Sequence, residues 1–168
     1  MKRLFHGSDV AVRNPQVKIG RNKVDFGQGF YLTSLREQAE SWAQTIASRT
    51  RSHKPILNVY RFDERSAKSM VGNRYKVFAA YDMEWLDYVV DCRRGDESQS
   101  QYDIVEGGVA NDKVIDTVED YENGIITAEQ ALGQLVHKNV NHQICIRSQT
   151  VIDAYLTFIE PPIELERG

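Results

Sequence analysis

The chain has 168 residues, of which 41% are apolar and 27% are charged, and its formal net charge is −3. These values are ordinary for a soluble globular protein, and a chain of this length buries about two-thirds of the surface that it exposes when unfolded. The small negative charge argues against a general binder of polyanions. No apolar run reaches the roughly 20 residues of a membrane helix, and the first residues do not form a signal peptide. We therefore expect a cytoplasmic protein without a membrane partner.

The two cysteines, Cys92 and Cys145, are far apart in the sequence. Neither has the nearby cysteine or histidine partners of a zinc site or a disulfide framework, so no metal site is predicted. Both are expected to be ordinary buried thiols. The alternative is that Cys145 is a nucleophile beside His142, but no oxyanion-hole or orienting signature surrounds it.

The first predicted elements surround two glycines. A short strand over residues 1–5 ends at His6, and a turn-rich loop follows. Residues 25–33 read DFGQGFYLT, in which Gly27 and Gly29 precede a run typical of a half-buried strand. Glycine at such positions indicates a positive φ angle or a backbone that comes close to another group.

A helix is predicted next, over residues 36–47. Its apolar residues recur at spacings of three and four, so Trp42 is expected on the face that packs inward. The later elements show no internal repeat, which favours one α+β domain over residues 1–160. A strand with one exposed face is predicted over 56–62, and the region over 63–77 contains a short strand or loop within 68–75. A helix over 82–93 has Asp82 as its N-cap, and it is followed by a strand over 102–110 and a helix over 112–121. Thr127 opens another helix in a capping box with Gln130, and strands over 142–146 and 154–159 precede a frayed tail over 161–168.

Taken one at a time, the candidate functional residues have ordinary structural explanations. A histidine at the end of a strand, such as His6, is usually a structural residue, and Tyr31 and Trp42 are at positions that usually pack in a core. The glycines in Gly27-Gln28-Gly29 also lack the spacing of the dinucleotide-binding fingerprint. The order of these residues is more informative than any one of them.

That order resembles the NAD-binding core of the ADP-ribosyltransferases, in the branch of diphtheria toxin and the poly(ADP-ribose) polymerases. In that branch a histidine and a small residue end the first strand, and a glycine-hydrophobic-tyrosine run forms the second. Another aromatic residue follows in the next helix, as Trp42 follows Tyr31 by eleven positions here (42 − 31). The resemblance implies an α+β fold of the ADP-ribosyltransferase type, with two packed, small antiparallel sheets flanked by helices.

More of the chain, from Phe5 to Ile159, resembles a bacterial family of proteins with domain of unknown function 3990, which has been grouped with this superfamily. Single motifs of this resemblance are not specific, but together they are. They are DFGQGFY over 25–31, QAESWA over 38–43, YDIV over 102–105, VAND over 109–112 and QICI over 143–146.

The resemblance implies that NAD is bound as the donor of ADP-ribose. His6 would hydrogen-bond a hydroxyl of the nicotinamide ribose, and Gly7 would offer its main-chain groups to the carboxamide. Tyr31 and Trp42 would stack on the two sides of the positively charged nicotinamide ring. The implied catalytic residues are His6, Tyr31 and Gln143, and the implied NAD-binding residues are His6, Gly7, Ser8, Arg13, Gly29, Phe30, Tyr31 and Trp42.

Arg13 and Arg21 lie in the loop between the first two predicted strands. Either could meet the pyrophosphate of NAD, and an exposed loop position explains both equally well.

The sequence departs from the family pattern on the late strand, where polymerase-like members carry a glutamate that stabilises an oxocarbenium-like transition state. We place Gln143 at that position, and His142 is the alternative if the register slips by one residue. Glu106, at the end of another strand, is a candidate substitute carboxylate, and the alternative is that it is an ordinary exposed charge at a strand end. A neutral amide cannot supply negative charge, so transfer of a single ADP-ribose is expected and chain elongation is not.

The leading hypothesis is therefore an NAD-dependent mono-ADP-ribosyltransferase. The resemblance suggests the effector of a bacterial toxin–antitoxin or phage-defence system, with a cognate antitoxin and an acceptor that is a protein, a nucleic acid or a small molecule. The alternative is a weak or inactive module of the same fold that binds NAD or ADP-ribose. A third hypothesis is an RNA-cleaving toxin that uses His6, His53 or His142 with the basic tract over 49–54.

Overall fold

The computed structural model describes residues 1–50, 54–96, 101–110, 114–135 and 141–166. These ranges contain eight strands and six α-helices, together with two short 3₁₀ helices, Val17–Ile19 and Gly72–Arg74. The elements are, in chain order, β1 (Lys2–Ser8), β2 (Phe30–Leu32), α1 (Arg36–Arg49), β3 (Ile56–Phe62), α2 (Glu64–Val71), β4 (Tyr75–Val77), α3 (Met83–Arg94), β5 (Ile104–Gly107), α4 (Ile115–Glu122), α5 (Ala128–Leu135), β6 (Gln143–Ile146), α6 (Gln149–Tyr155), β7 (Leu156–Phe158) and β8 (Ile163–Glu164).

The strands of the described residues form two four-stranded sheets, which together with the helices make an α+β fold. The first sheet has the order β1-β3-β7, β8 also pairs with β3, and all its pairings are antiparallel. The second sheet has the order β2-β6-β5-β4. Its β4–β5 pair is parallel, so this sheet is mixed rather than antiparallel as expected.

The two sheets are joined where β1 meets the end of β2. Phe5 and Thr33 form an isolated antiparallel bridge, with hydrogen bonds of 2.8 and 2.9 Å between their main-chain groups. Side chains alternate along each strand, so each sheet has two distinct faces. Leu4, Phe30 and Ile144 belong to the hydrophobic core between the sheets. On the other face of the second sheet, residues such as Cys145 pack in a core that includes α3.

Helix α1 lies very close to β1. Its buried residues are Ala39, Ala43 and Ala47, which are small and four positions apart. A Cβ atom on Gly7 would lie 2.0 Å from the main-chain oxygen of Ala39, so the helix can approach the strand only because this residue is glycine. The prediction that Trp42 packs inward is wrong, because the side chain is 43% exposed and the alanines form the packed face.

Several local predictions are confirmed. The carboxylate of Asp82 caps α3 by accepting a hydrogen bond from the main-chain N–H of Trp85. Thr127 and Gln130 exchange the two hydrogen bonds of a capping box. Gly27 has a φ angle of 71°, in the left-handed region that its position predicted.

Other predictions of secondary structure are wrong. Strand β3 is buried at every position except Arg61, so it lacks the predicted exposed face. The region over 63–77 contains α2, which Asp63 caps, and β4. Residues 149–155 form α6, where part of a strand was expected. The predicted frayed tail is wrong at Ile163–Glu164, because these residues pair with β3.

Some predictions fall on residues outside the described ranges. They include residues 51–53 of the basic tract, among them His53, Asn111 and Asp112 of the VAND motif, and the predicted end of the helix near Lys138. Among the helices in the described ranges, none combines the length and the apolar character needed to cross a membrane.

Candidate functional site

The candidate site begins at the edge of β1, where β1 and β2 separate. Main-chain groups alternate in direction along a strand, so the N–H and C=O groups of Gly7 point to the same side as those of Phe5. The groups of Phe5 bond to Thr33, whereas no hydrogen bond to the main chain of Gly7 on that side is present among the described residues. Continuing the antiparallel register places Gly7 opposite Tyr31. This edge therefore offers one donor and one acceptor to a ligand.

His6 lies beside this edge, on the inner face of the sheets. Its Nδ1 atom is 2.8 Å from the main-chain oxygen of Tyr31, and its ring centroid is 4.6 Å from that of Phe30. A carbonyl oxygen can only accept, so Nδ1 carries the hydrogen and Nε2 is an acceptor when the ring is neutral. Burial lowers the pKa of His6, although the bond to Tyr31 acts in the opposite direction. The neutral form is thus favoured.

Tyr31 places its side chain on the other face of β2. Its hydroxyl donates to the main-chain oxygen of Gly27 at 2.6 Å and accepts from the N–H of Phe26 at 3.0 Å. The ring packs against the core that includes α3, and burial raises the pKa of the hydroxyl well above its usual value. His6 thus meets the main chain of Tyr31 rather than its ring, which corrects the expectation that their rings surround one heterocycle.

Two further residues of the predicted NAD site have structural roles. Phe30 is only 7% exposed, and its ring lies 5.6 Å from that of Tyr60 in the core between the sheets. A Cβ atom on Gly29 would lie 2.4 Å from Sγ of Cys145, so this glycine permits close packing of β2 against β6. Phe30 and Gly29 therefore hold β2 in place through packing.

Ser8 and Arg13 bind groups of the chain itself. The hydroxyl of Ser8 accepts a hydrogen bond of 3.4 Å from the N–H of Val10. The guanidinium of Arg13 forms an ion pair with Glu160 and lies 5.8 Å from the ring centroid of Phe158. Arg21 is exposed in the same loop. The structure thus holds Arg13 against the C-terminal part of the first sheet.

Gln143 is buried at the first position of β6, opposite Gly107 in the adjacent strand. Its amide donates to the main-chain oxygen of Gly108 at 3.2 Å and lies close enough to the carboxylate of Asp25 to lower the pKa of that group. Gln143 is two residues from Cys145, which pairs with Tyr31, so Gln143 and Tyr31 share the outer face of the second sheet.

Asp25 is a buried carboxylate that sequence reasoning did not assign to the site. It accepts hydrogen bonds from the N–H of Ala110 at 2.9 Å and from Arg93 at 3.3 Å. Burial raises the pKa of Asp25, although its bonds to Ala110, Arg93 and Gln143 act in the opposite direction. The sequence signal that could have identified Asp25 is its place in the DFGQGFY motif. The structure places its carboxylate next to the amide of Gln143.

The other candidates for the third catalytic position form a separate cluster on the inner face. His142 lies 2.6 Å from Glu106 through Nε2, and Tyr75 donates to the same carboxylate at 2.7 Å. Burial alone would raise the pKa of Glu106, but the bonds from His142 and Tyr75 and the charge of Lys2 lower it to about 2. Glu106 and His142 are therefore bonded to each other, on the face opposite Gln143.

Both cysteines are buried and free, as predicted. Burial raises the pKa of Cys145 to about 12 and that of Cys92 to about 11. A thiol must lose its proton to act as a nucleophile, so the alternative role of Cys145 is not supported.

A groove between α3 and α4 lies away from these residues. Its polar lining is satisfied by internal contacts. Tyr121 donates to Asp87 at 3.0 Å, and Arg94 donates to the main-chain oxygen of Glu122 at 2.6 Å. These bonds hold the two helices together and leave the groove without a distinctive ligand-binding group.

The fold and the site together define an α+β protein of two linked sheets, with polar groups collected where the sheets meet. Residues 2–158 match the model of the family described as "Protein of unknown function (DUF3990)", and the chain belongs to that family. Comparisons with curated proteins and with solved structures give no match.

Proposed function

We propose that this chain is an NAD-dependent mono-ADP-ribosyltransferase. The observation that carries the proposal is the edge of Gly7, where a main-chain N–H and C=O face the gap between β1 and β2 without a partner among the described residues. A primary carboxamide, such as that of nicotinamide, needs one acceptor and one donor placed side by side. The resemblance of the sequence to the ADP-ribosyltransferases points to the same residue.

The neighbouring residues suit the rest of that substrate. His6 has an unprotonated Nε2 that can accept a hydrogen bond from a ribose hydroxyl. Ala39 of α1 contacts Gly7, and Trp42 follows Ala39 in the same helix. The exposed ring of Trp42 can stack on a cationic heterocycle. A stacked ring and two oriented hydrogen bonds would hold the sugar in one position relative to an incoming acceptor.

In the proposed reaction, the bond between the anomeric carbon and nicotinamide breaks, and its electron pair leaves with the nicotinamide. A nucleophile of the acceptor then bonds to that carbon and releases a proton. Gln143 and His6 lie on different faces, so in this proposal the sugar lies at the gap between β1 and β2, where Gln143 orients it through its amide and Asp25 beside Gln143 carries the negative charge that the amide lacks. Asp25 therefore compensates in part for the glutamate that Gln143 replaces.

The biological setting is part of the same proposal and depends on the resemblance. We expect a toxin-like effector of a bacterial toxin–antitoxin or phage-defence system, with a cognate antitoxin. The acceptor is a protein, a nucleic acid or a small molecule.

A second candidate is a module that binds NAD or ADP-ribose without turnover. The observation that favours it is Gln143 itself, whose buried amide is already bonded to Gly108 and lies beside Asp25. The carboxylate of Asp25 is bonded to Arg93, which offsets part of its charge. Such a site would bind the ligand and release no nicotinamide.

One experiment separates these functions. The full chain is incubated with NAD labelled in its adenylate part and with bacterial lysate, while nicotinamide release and the Tm are followed. Transfer of label with nicotinamide release supports the transferase. A rise in Tm with no nicotinamide release supports the binding module. No transfer, no release and no change in Tm would reject both.

A further inference from the structure

Three residues from different segments form a continuous hydrogen-bonded chain on the inner face of the second sheet. The hydroxyl of Ser34 is 3.0 Å from Nδ1 of His142, and Nε2 of His142 is 2.6 Å from Glu106. Glu106 is held in turn by Tyr75 at 2.7 Å and by Lys2 at 3.2 Å. The order of groups is nucleophile, base and orienting carboxylate.

The direction of these bonds is fixed by the main chain. The N–H of Ser34 also lies 3.3 Å from Nδ1 of His142, and a main-chain N–H can only donate. Nδ1 is therefore an acceptor, and the hydrogen of the neutral ring is on Nε2, where it faces Glu106. The hydroxyl of Ser34 must then donate to Nδ1. This is the tautomer in which an imidazole can remove the proton of a serine.

The position of Ser34 in the fold also suits a nucleophile. It lies in the short turn between β2 and α1 and is partly exposed, as are His142 and Glu106. The N-cap residue of α1, Leu35, provides no side-chain cap, so the first N–H groups of this 14-residue helix remain for a developing oxyanion.

The geometry differs in one respect from the usual serine triad. There the serine meets Nε2 and the carboxylate meets Nδ1, whereas here the two nitrogens are exchanged. Both arrangements give the serine an unprotonated nitrogen and give the opposite nitrogen a carboxylate that stabilises the imidazolium. The exchange therefore leaves the roles intact.

We propose that Ser34, His142 and Glu106 form a second site, which transfers acyl groups from small activated esters and does not require NAD. The oxygen of Ser34 bonds to the carbonyl carbon while its proton moves to Nδ1 of His142. The bond between that carbon and the leaving oxygen then breaks, and the leaving alkoxide takes the proton from His142. Water hydrolyses the acyl-serine by the same steps and restores Ser34.

The test uses the full chain with p-nitrophenyl acetate and with a fluorophosphonate probe, followed by mass spectrometry of the peptides. We expect an adduct on Ser34 with each reagent. Ser34→Ala should abolish the adduct and ester turnover, and Ser41→Ala, an exposed serine of α1, should change neither. Loss of the base in His142→Gln should slow labelling by roughly 10²- to 10⁴-fold.

Because His142→Gln could unfold the chain, Glu106→Gln provides an independent measurement with the same expected direction. The proposal is overturned if folded protein gives no adduct on Ser34, or if neither glutamine variant slows labelling. It is also overturned if NAD modifies Ser34 and esters do not, because the serine would then accept a sugar. These outcomes do not depend on whether the chain transfers ADP-ribose to other acceptors.

Discussion

The Nδ1 atom of His6 lies 2.8 Å from the main-chain oxygen of Tyr31, and this contact links β1 to β2 beyond the bridge between Phe5 and Thr33. Nδ1 holds the strands in place, and in the proposed function Nε2 binds the ligand. The two functions can be separated by substitution.

We predict that His6→Asn retains the stability of the chain and loses affinity for NAD. The amide of asparagine can still donate to Tyr31, but it has no acceptor at the position of Nε2. One lost hydrogen bond corresponds to about 0.5–1.5 kcal/mol. His6→Gln is the matched variant, because its longer side chain reaches the position of Nε2 and misses that of Nδ1. It should lower the Tm and retain more affinity, and titration calorimetry that ranks the two variants the other way would contradict the assignment.

We predict that Trp42→Ala leaves the Tm nearly unchanged, because the side chain is 43% exposed. If the ring stacks on nicotinamide, the affinity for NAD should fall by about 1–3 kcal/mol, by analogy with base–aromatic stacking. Met70→Ala on α2 is the control, since Met70 is 49% exposed and lies on another helix. Equal NAD affinities for the two variants would remove Trp42 from the site.

The sequence predicted those parts of the fold that depend on local chemistry. The caps at Asp82 and Thr127 were found because each places a side-chain oxygen three residues before the N–H that it accepts from. Gly27 was found because its position called for a positive φ angle. Local signals of this kind do not depend on the rest of the chain.

Features set by tertiary contacts were missed. Trp42 fits the apolar period of α1, but Gly7 brings the strand so close that only the alanine face can pack against it. The predicted strand over 154–159 begins within the last two residues of the helix α6, and its aromatic and β-branched residues did not reveal where that helix ends. Strand β8 has two residues and exists only because β3 offers it an edge.

The candidate site shows the same division. His6 and Gly7 could be placed at the end of the first strand from the sequence, although β1 continues through both of them to Ser8. The faces of Gln143 and His142 depended on a register that no local pattern reveals. The roles assigned to Ser34 and Asp25 depend on hydrogen-bond partners that are 108 and 85 residues away in the chain. Sequence spacing could not bring these groups together.

We predict that Gly7→Ala destabilises the chain. The new methyl group would lie 2.0 Å from the main-chain oxygen of Ala39 and 2.6 Å from the nitrogen of Ala43, so α1 must move away from β1. Overpacking of this kind costs about 1–3 kcal/mol. Gly133→Ala in α5 is the control, because no atom lies within 4 Å of its new methyl group. It should stabilise the helix by up to about 1 kcal/mol.

Urea denaturation of both variants measures these changes. If Gly7→Ala unfolds at the same urea concentration as the unmodified chain, the close contact between α1 and β1 is wrong. Because the variant changes the helix that carries Trp42, its NAD affinity should fall as well.

We predict that Gln143→Glu increases the rate of nicotinamide release and lowers the Tm at neutral pH. The new carboxylate supplies negative charge near the sugar, but it is buried next to Asp25 and cannot donate to Gly108. Burial and the like charge raise its pKa in the folded state. The Tm should therefore recover as the pH falls and the new group binds a proton. Gain of hydrolysis is measured as nicotinamide release, and unchanged release at every pH would argue for the binding module.

We predict that Glu106 contributes to the stability of the chain at neutral pH and that this contribution is lost in acid. Its folded-state pKa is lowered to about 2 from an ordinary value of 4.5, so the unfolded chain binds the proton first. The contribution is present above pH 4.5 and disappears as the pH falls toward 2. Glu106→Gln should thus show a smaller loss of Tm between pH 6 and pH 3 than the unmodified chain.

Glu37→Gln, an exposed glutamate of α1, is the control for this prediction and should keep the full acid dependence. His6 adds a separate effect at higher pH. Burial lowers the pKa of His6 below its ordinary value of 6.5, so the unfolded chain binds the proton first. The chain therefore loses stability as the pH falls below 6.5. The two groups can be distinguished because His6→Asn should remove the acid dependence near pH 6 and leave that of Glu106 below pH 4.5. If both variants retain the unmodified profile in calorimetric melts, neither side chain controls the acid stability.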